Sequence, residues 1–164
     1  MKEGGTGTIS EQAVQPDTMP DKYEIGSHNA IGIAGLSEAA AWLLERGVEG
    51  IRAHDEHLCR VFLERTDGVE HLTVFGPRDI GRRAGVFSVL AGRLGPSELA
   101  DLLEREHGLC TRPGIHCAPL AHETIGTHPA GTCRLSFGPF TTEQHVRAAA
   151  DALIEVADRS TVRP

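Results

Sequence analysis

From Ile31 onward, apolar residues recur at three- and four-residue spacing: Ile33, Leu36, Ala40, Leu43 and Leu44. That period predicts an amphipathic helix, with Gly47 as its C-cap. A second helix follows, with Ile51, Leu58, Val61 and Phe62 on one face, and it stops at the turn signal Asp67-Gly68. Leu72 to Phe75 reads as a short strand closed by Gly76-Pro77. Arg83 to Leu90 reads as a second strand carrying Val86, Phe87, Val89 and Leu90. Pro96 stands near the start of the next helix, whose apolar positions are Leu99, Leu102 and Leu103 and whose C-cap is Gly108. Leu109 to Arg112 and Thr132 to Phe137 predict two further strands. Thr141 opens a final helix, where Gln144 completes a capping box and Val146, Ala150, Leu153 and Ile154 form the apolar stripe.

This order predicts an α+β fold, a small mixed or antiparallel sheet packed against helices. Residues 1–29 are rich in Gly, Thr and Pro and lack periodicity, so they read as an extended glycine-rich segment ahead of a folded domain at 30–164. Residues 113–131 hold three prolines, three glycines and three histidines and read as one long loop. Compact domains seldom keep such a loop without a functional reason.

Composition narrows the function classes. A chain of 164 residues is enough for one real core. A net charge of −7 argues against a nucleic-acid partner. No apolar run approaches the ~18 residues of a membrane span. The first residues have no apolar stretch of the kind a secretory signal needs, so the expected compartment is the cytoplasm. Four cysteines without an export signal predict thiol chemistry or burial rather than disulfides. Of these, Cys59 and Cys133 lie in apolar runs and are expected to be buried.

The long loop gathers the chemistry. It holds His116-Cys117, with Arg112 before it and Arg134 after it. A thiolate is the nucleophilic form of cysteine, and neighbouring His and Arg favour that charged form. Arginine's planar fork is suited to gripping a carboxylate. A cysteine between two arginines could therefore attack an amino-acid substrate held by its carboxylate. A competing reading is a zinc site built from Cys110, His116, Cys117, His122, His128 and Cys133. The spacing lacks the closely paired ligands that structural zinc favours, so no metal is expected.

The run RPGIHCAPLAHETIGT, followed by GTCRLSFGPFTTEQHV, resembles the C-terminal segment of cysteine desulfurases within the class V aminotransferase family. DKYEIGSHNAIGIAG at 21–35 and GGTGT at 4–8 resemble two further landmarks of that family, in family order. The resemblance implies the C-terminal small domain of a pyridoxal-phosphate-dependent transferase, with residues 1–29 left from the large domain and its interface. It implies that Cys117 takes sulfur from L-cysteine as a persulfide and that alanine is released. By the same resemblance Arg134 binds the substrate carboxylate, while Arg112 and His116 line the site. Gly26 and Ser27 would meet the phosphate of a partner subunit's cofactor, with Ser27 standing where the family usually has threonine. A homodimer in full-length form and a sulfur-acceptor protein are implied as partners. The family's Schiff-base lysine belongs to the large domain, and Lys2 and Lys22, the chain's two lysines, do not match its context. The chain alone is therefore expected to be inactive. Other class V reactions (transamination, or selenocysteine or cysteine lysis) and a non-catalytic role completing a partner chain are the alternatives.

Overall fold

The computed structural model describes residues 9, 11–24 and 26–160. The chain forms two compact units, divided between Val48 and Glu49.

The first unit contains helix α1, Ala30–Arg46. The Asn29 side chain caps its start by accepting from the Gly32 amide at 3.0 Å. Gly47, at φ 74°, ends it, and its amide donates to the Leu43 carbonyl. The predicted helix is present, yet none of its residues is buried: Ile31, Leu36 and Leu44 are 89%, 71% and 84% exposed. Trp42 is half-buried beneath the Arg46 guanidinium, 5.5 Å from the ring centroid.

The second unit is built around a four-stranded antiparallel sheet of order β1-β2-β4-β3. Its strands are β1 (Leu72–Val74), β2 (Val86–Ala91), β3 (Arg112–Gly114) and β4 (Thr132–Ser136). Helix α2 (Val48–Thr66) precedes β1, α3 (Pro96–His107) connects β2 to β3, α4 (Pro119–Thr124) lies between β3 and β4, and α5 (Glu143–Arg159) ends the described chain. Because β2 and β3 are each antiparallel to β4, they run parallel to one another, with β4 inserted between them. Strand alternation separates two faces. Phe87, Val89, Ala91, Cys133 and Leu135 point into a core with Phe62 and Leu58 of α2, Leu99 and Leu103 of α3, and Val146, Leu153 and Val156 of α5. Phe62, Phe87 and Phe137 form an aromatic cluster with centroids 4.3–5.5 Å apart. The opposite face carries Ser88, Arg134 and Arg112 in one cross-strand row.

β1 and β4 each end one residue earlier than expected, at Val74 and Ser136, and four further departures have a physical cause. β2 begins at Val86 and not Arg83, because Arg83 is held elsewhere. Its Nε donates to the Pro77 carbonyl and its Nη2 to the Phe75 carbonyl, and its guanidinium stacks 4.5 Å from the Phe87 centroid. β3 is Arg112–Gly114, displaced toward the loop from Leu109 to Arg112. Pro113 is tolerated there because β3 is an edge strand, where a missing amide costs no ladder bond on the open side. The segment 113–131 is not one loop, since Pro119 at the first helical turn starts α4. The final capping box is Thr142 with His145, one residue beyond Thr141 with Gln144.

Candidate active site

β3 delivers the chain into a tight turn at the sheet edge. The Ala118 amide donates to the Ile115 carbonyl at 2.8 Å, and the two residues between, His116 and Cys117, have φ of 51° and 60°. Positive φ at both central positions is the mark of a type I′ turn, normally the province of glycine and asparagine. A histidine and a cysteine held there cost about 1–2 kcal/mol each in steric strain. Strain of this kind persists only where surrounding structure over-determines it, and it clusters at functional sites.

The turn leaves Cys117 exposed. His116, half-buried, donates from Nε2 to the Arg112 carbonyl at 2.8 Å. That bond fixes the proton on Nε2 and leaves Nδ1 as an acceptor when the ring is neutral. Arg112 and Arg134 are register partners across β3 and β4 and share one face of the sheet. Like charges directly opposite destabilise a sheet. Neither guanidinium has an ion pair among the described residues, and the buried Nε of Arg134 has no hydrogen-bond partner there. Two cations facing each other without a carboxylate suit an anionic ligand that supplies one.

Behind the turn, His122 of α4 is 5% exposed and its Nδ1 shares a hydrogen bond with the Thr127 hydroxyl at 2.6 Å. Its ring centroid lies 5.9 Å from that of His116. In the sequence His122 stands out only as a zinc ligand. Among the described residues, no three of His, Cys, Asp and Glu are grouped to hold a metal. Thr127 gives no sequence signal, because its partner is set by the turn of α4. Cys59 and Cys133 are buried as expected. Burial raises the Cys133 thiol pKa, opposed by a hydrogen bond from Sγ to Thr111 Oγ1 at 3.1 Å. A concavity of about 1210 Å³ lies at the opposite sheet edge, among β1, α3 and α5, and contains none of these groups.

Gly26 and Ser27 belong to the first unit and are both exposed. Gly26 has φ 80° with open space where a side chain would stand, and Ser27 offers a hydroxyl beside it. A glycine backbone next to a hydroxyl fits a phosphate contact. Lys22 is exposed and pairs with Asp17 at 3.0 Å, while Lys2 lies outside the described residues. The described residues thus fit the phosphate of pyridoxal phosphate and offer no secluded lysine to anchor its aldehyde.

The family profile for aminotransferase class-V matches residues 1–148. The chain belongs to the class V aminotransferase family. A probable cysteine desulfurase of Aeropyrum pernix is 31% identical over 163 residues, covering 93% of this chain and 39% of the relative. A cysteine desulfurase of Pectobacterium carotovorum is 30% identical over 148 residues, covering 88% and 35%. The apo cysteine desulfurase of Thermococcus onnurineus superposes with a TM-score of 0.76 at 27% identity, over 85% of this chain and 34% of that one. The S-sulfonic acid form of the Escherichia coli cysteine desulfurase CsdA gives 0.67 at 26% identity, over 87% and 33%. The chain thus spans under two-fifths of the length of these relatives, and its fold is that of their matching portion. Members of this family depend on pyridoxal phosphate, and no described helix is long and apolar enough to cross a membrane.

Proposed function

We propose that this chain supplies the sulfur-accepting cysteine and the carboxylate grip of a cysteine desulfurase. The observation that carries the reading is the Arg112–Arg134 row, without an ion pair among the described residues, beside a turn that exposes the Cys117 thiol. Arg134, with Arg112 beside it, binds the carboxylate of L-cysteine and so orients the substrate sulfur toward Cys117. Pyridoxal phosphate, when bound, supplies an electron sink for the substrate's α and β carbons. The Cys117 thiolate attacks the substrate sulfur, and an S–S bond forms as the Cβ–S bond breaks. That bonding pair passes to carbon, which takes a proton and leaves as alanine, while Cys117 retains a persulfide. His116, the residue before Cys117 in the turn, bonds the Arg112 carbonyl through Nε2, and in this reading its Nδ1 takes the thiol proton. Gly26 and Ser27 contact the phosphate of a partner subunit's cofactor, and the lysine that anchors the aldehyde is not among the described residues of this chain. A cytoplasmic homodimer with a sulfur-acceptor protein completes the proposed setting.

The test reconstitutes the chain with a polypeptide bearing the remaining family architecture, pyridoxal phosphate and L-cysteine. Alanine forms, mass spectrometry finds the persulfide on Cys117, and Cys117→Ala lowers turnover at least 100-fold. Alanine production that survives Cys117→Ala would replace this reading with a lyase in which the cysteine is passive. Borohydride reduction of the chain with cofactor alone labels no lysine stoichiometrically. Stoichiometric labelling would show that the chain holds the cofactor by itself.

A further inference from the structure

The strained turn needs a device to hold it, and the geometry points to His122 as that device: we propose that the buried His122–Thr127 pair is a positioning element that locks the Cys117 turn to the strand bearing Arg134. The inference rests on Cys117 being the reacting residue, but its structural content stands apart from the reaction. Four bonds converge on His122. Its amide donates to the carbonyl of Ala118, the residue after Cys117, at 3.2 Å. Its own carbonyl accepts from the Thr127 amide at 2.8 Å and the His128 amide at 3.2 Å. Its imidazole bonds the Thr127 hydroxyl at 2.6 Å, and both residues are more than nine-tenths buried.

The far side of the clamp leads directly to the arginine. The Thr127 carbonyl accepts from the Gly131 amide at 2.7 Å, and Gly131 immediately precedes β4. Gly131 lies so close to the Gly114 carbonyl that a Cβ there would come within 2.1 Å of the oxygen. The path Cys117, Ala118, His122, Thr127, Gly131, β4 therefore closes a ring of short contacts around the loop. Its other arm runs from His116 through the Arg112 carbonyl into β3. Within such a ring, moving the turn relative to β4 breaks at least one of these bonds, and the His122–Thr127 side-chain bond among them is buried. The histidine acts through its neighbours and does not itself touch the substrate.

The experiment uses the full 164-residue chain labelled for NMR. Two signals report the turn: the Cys117 Cα and Cβ shifts, which mark positive φ, and exchange protection of the Ala118 amide. His122→Ala should move the Cys117 shifts to a conformationally averaged value and lower Ala118 protection at least tenfold relative to the Leu135 amide in the core. His122→Asn should keep both signals within about threefold, because its amide can occupy the place of Nδ1 and still bond Thr127. Thr127→Val and Thr127→Ser form a second pair with the same expectation, loss and rescue, should His122→Ala fail to fold. Unchanged Cys117 shifts in both disruptive variants would overturn the proposal. So would equal losses in disruptive and rescuing variants that track Leu135, since that describes packing alone. If the desulfurase reading fails instead, alanine formation is insensitive to Cys117 while the NMR pattern holds.

Discussion

At the residue scale, two departures from ordinary backbone geometry fall at the proposed chemistry. His116 and Cys117 are two of three non-glycine residues with positive φ among those described. Nothing in the sequence marks them as such, because a type I′ turn is usually announced by Asn-Gly, and His-Cys carries no such signal. What was readable was the residue type, a cysteine, Cys117, between two arginines, Arg112 and Arg134. What was not readable was the backbone conformation, since a His-Cys pair carries no local signal for positive φ. The strain makes a prediction. Cys117→Gly removes a Cβ from a left-handed position and should raise the unfolding free energy by about 1 kcal/mol. The same change removes the sulfur acceptor. Urea denaturation of both proteins measures the gain, and a destabilised glycine variant would mean that the turn is not strained at Cys117. A stability gain at a position essential for activity would be the usual exchange between the two.

At the element scale, periodicity located every long helix, because one face of each stripe recurs at 3.6 residues whatever it packs against. Ends and short elements were less legible. The capping box moved from Thr141 to Thr142 because both threonines precede plausible partners, and tertiary placement decided between them. In the structure Thr141 is used differently, its hydroxyl accepting from the Gly138 amide at 3.0 Å. β3 was misplaced because Pro113 and Gly114 read as breakers, and only their position at the sheet edge makes them tolerable. Burial of the cysteines was legible from their apolar settings and has a consequence for pH. Burial raises the thiol pKa of Cys133, in β4, and of Cys59, in α2, above the ordinary value of 9.0, with Asp55 adding to the rise at Cys59. Above that ordinary value the unfolded chain releases these protons while the folded chain keeps them. Stability should therefore be fully present below pH 9.0 and fall as pH rises through the raised folded values. Urea titrations across pH 8–11 check this, with the Cys59→Ala/Cys133→Ala double variant expected to show a shallower alkaline decline. An identical decline in the double variant would assign the effect to other groups.

At the scale of the whole molecule, the two units differ in what they do with apolar surface. The second encloses a core of fully buried side chains, among them Phe62, Phe87, Leu99 and Leu153. The first contains a helix rich in Ile, Leu and Ala that buries none of them. A helix apolar on most sides is ordinarily covered, and exposed patches of this kind mark interaction surfaces or aggregation liabilities. The chain should therefore bind the dye anilinonaphthalene sulfonate while giving a cooperative unfolding transition from its second unit. Ile31→Glu with Leu44→Lys tests the assignment. The glutamate falls in a first turn that has no acidic residue, and the lysine falls in the last turn, so each charge complements the helix dipole and net charge is unchanged. Dye fluorescence should fall by at least half. Unfolding free energy should change by no more than about 0.5 kcal/mol, because neither side chain contributes to a packed interior. Undiminished fluorescence would place the dye-binding surface elsewhere, for instance at Leu120 and Phe140, which are 74% and 77% exposed. If the proposed function holds, adding the complementary polypeptide should suppress the same fluorescence in the unsubstituted chain. The double variant would then bind that polypeptide more weakly while the Cys117 turn, in the other unit, stays intact.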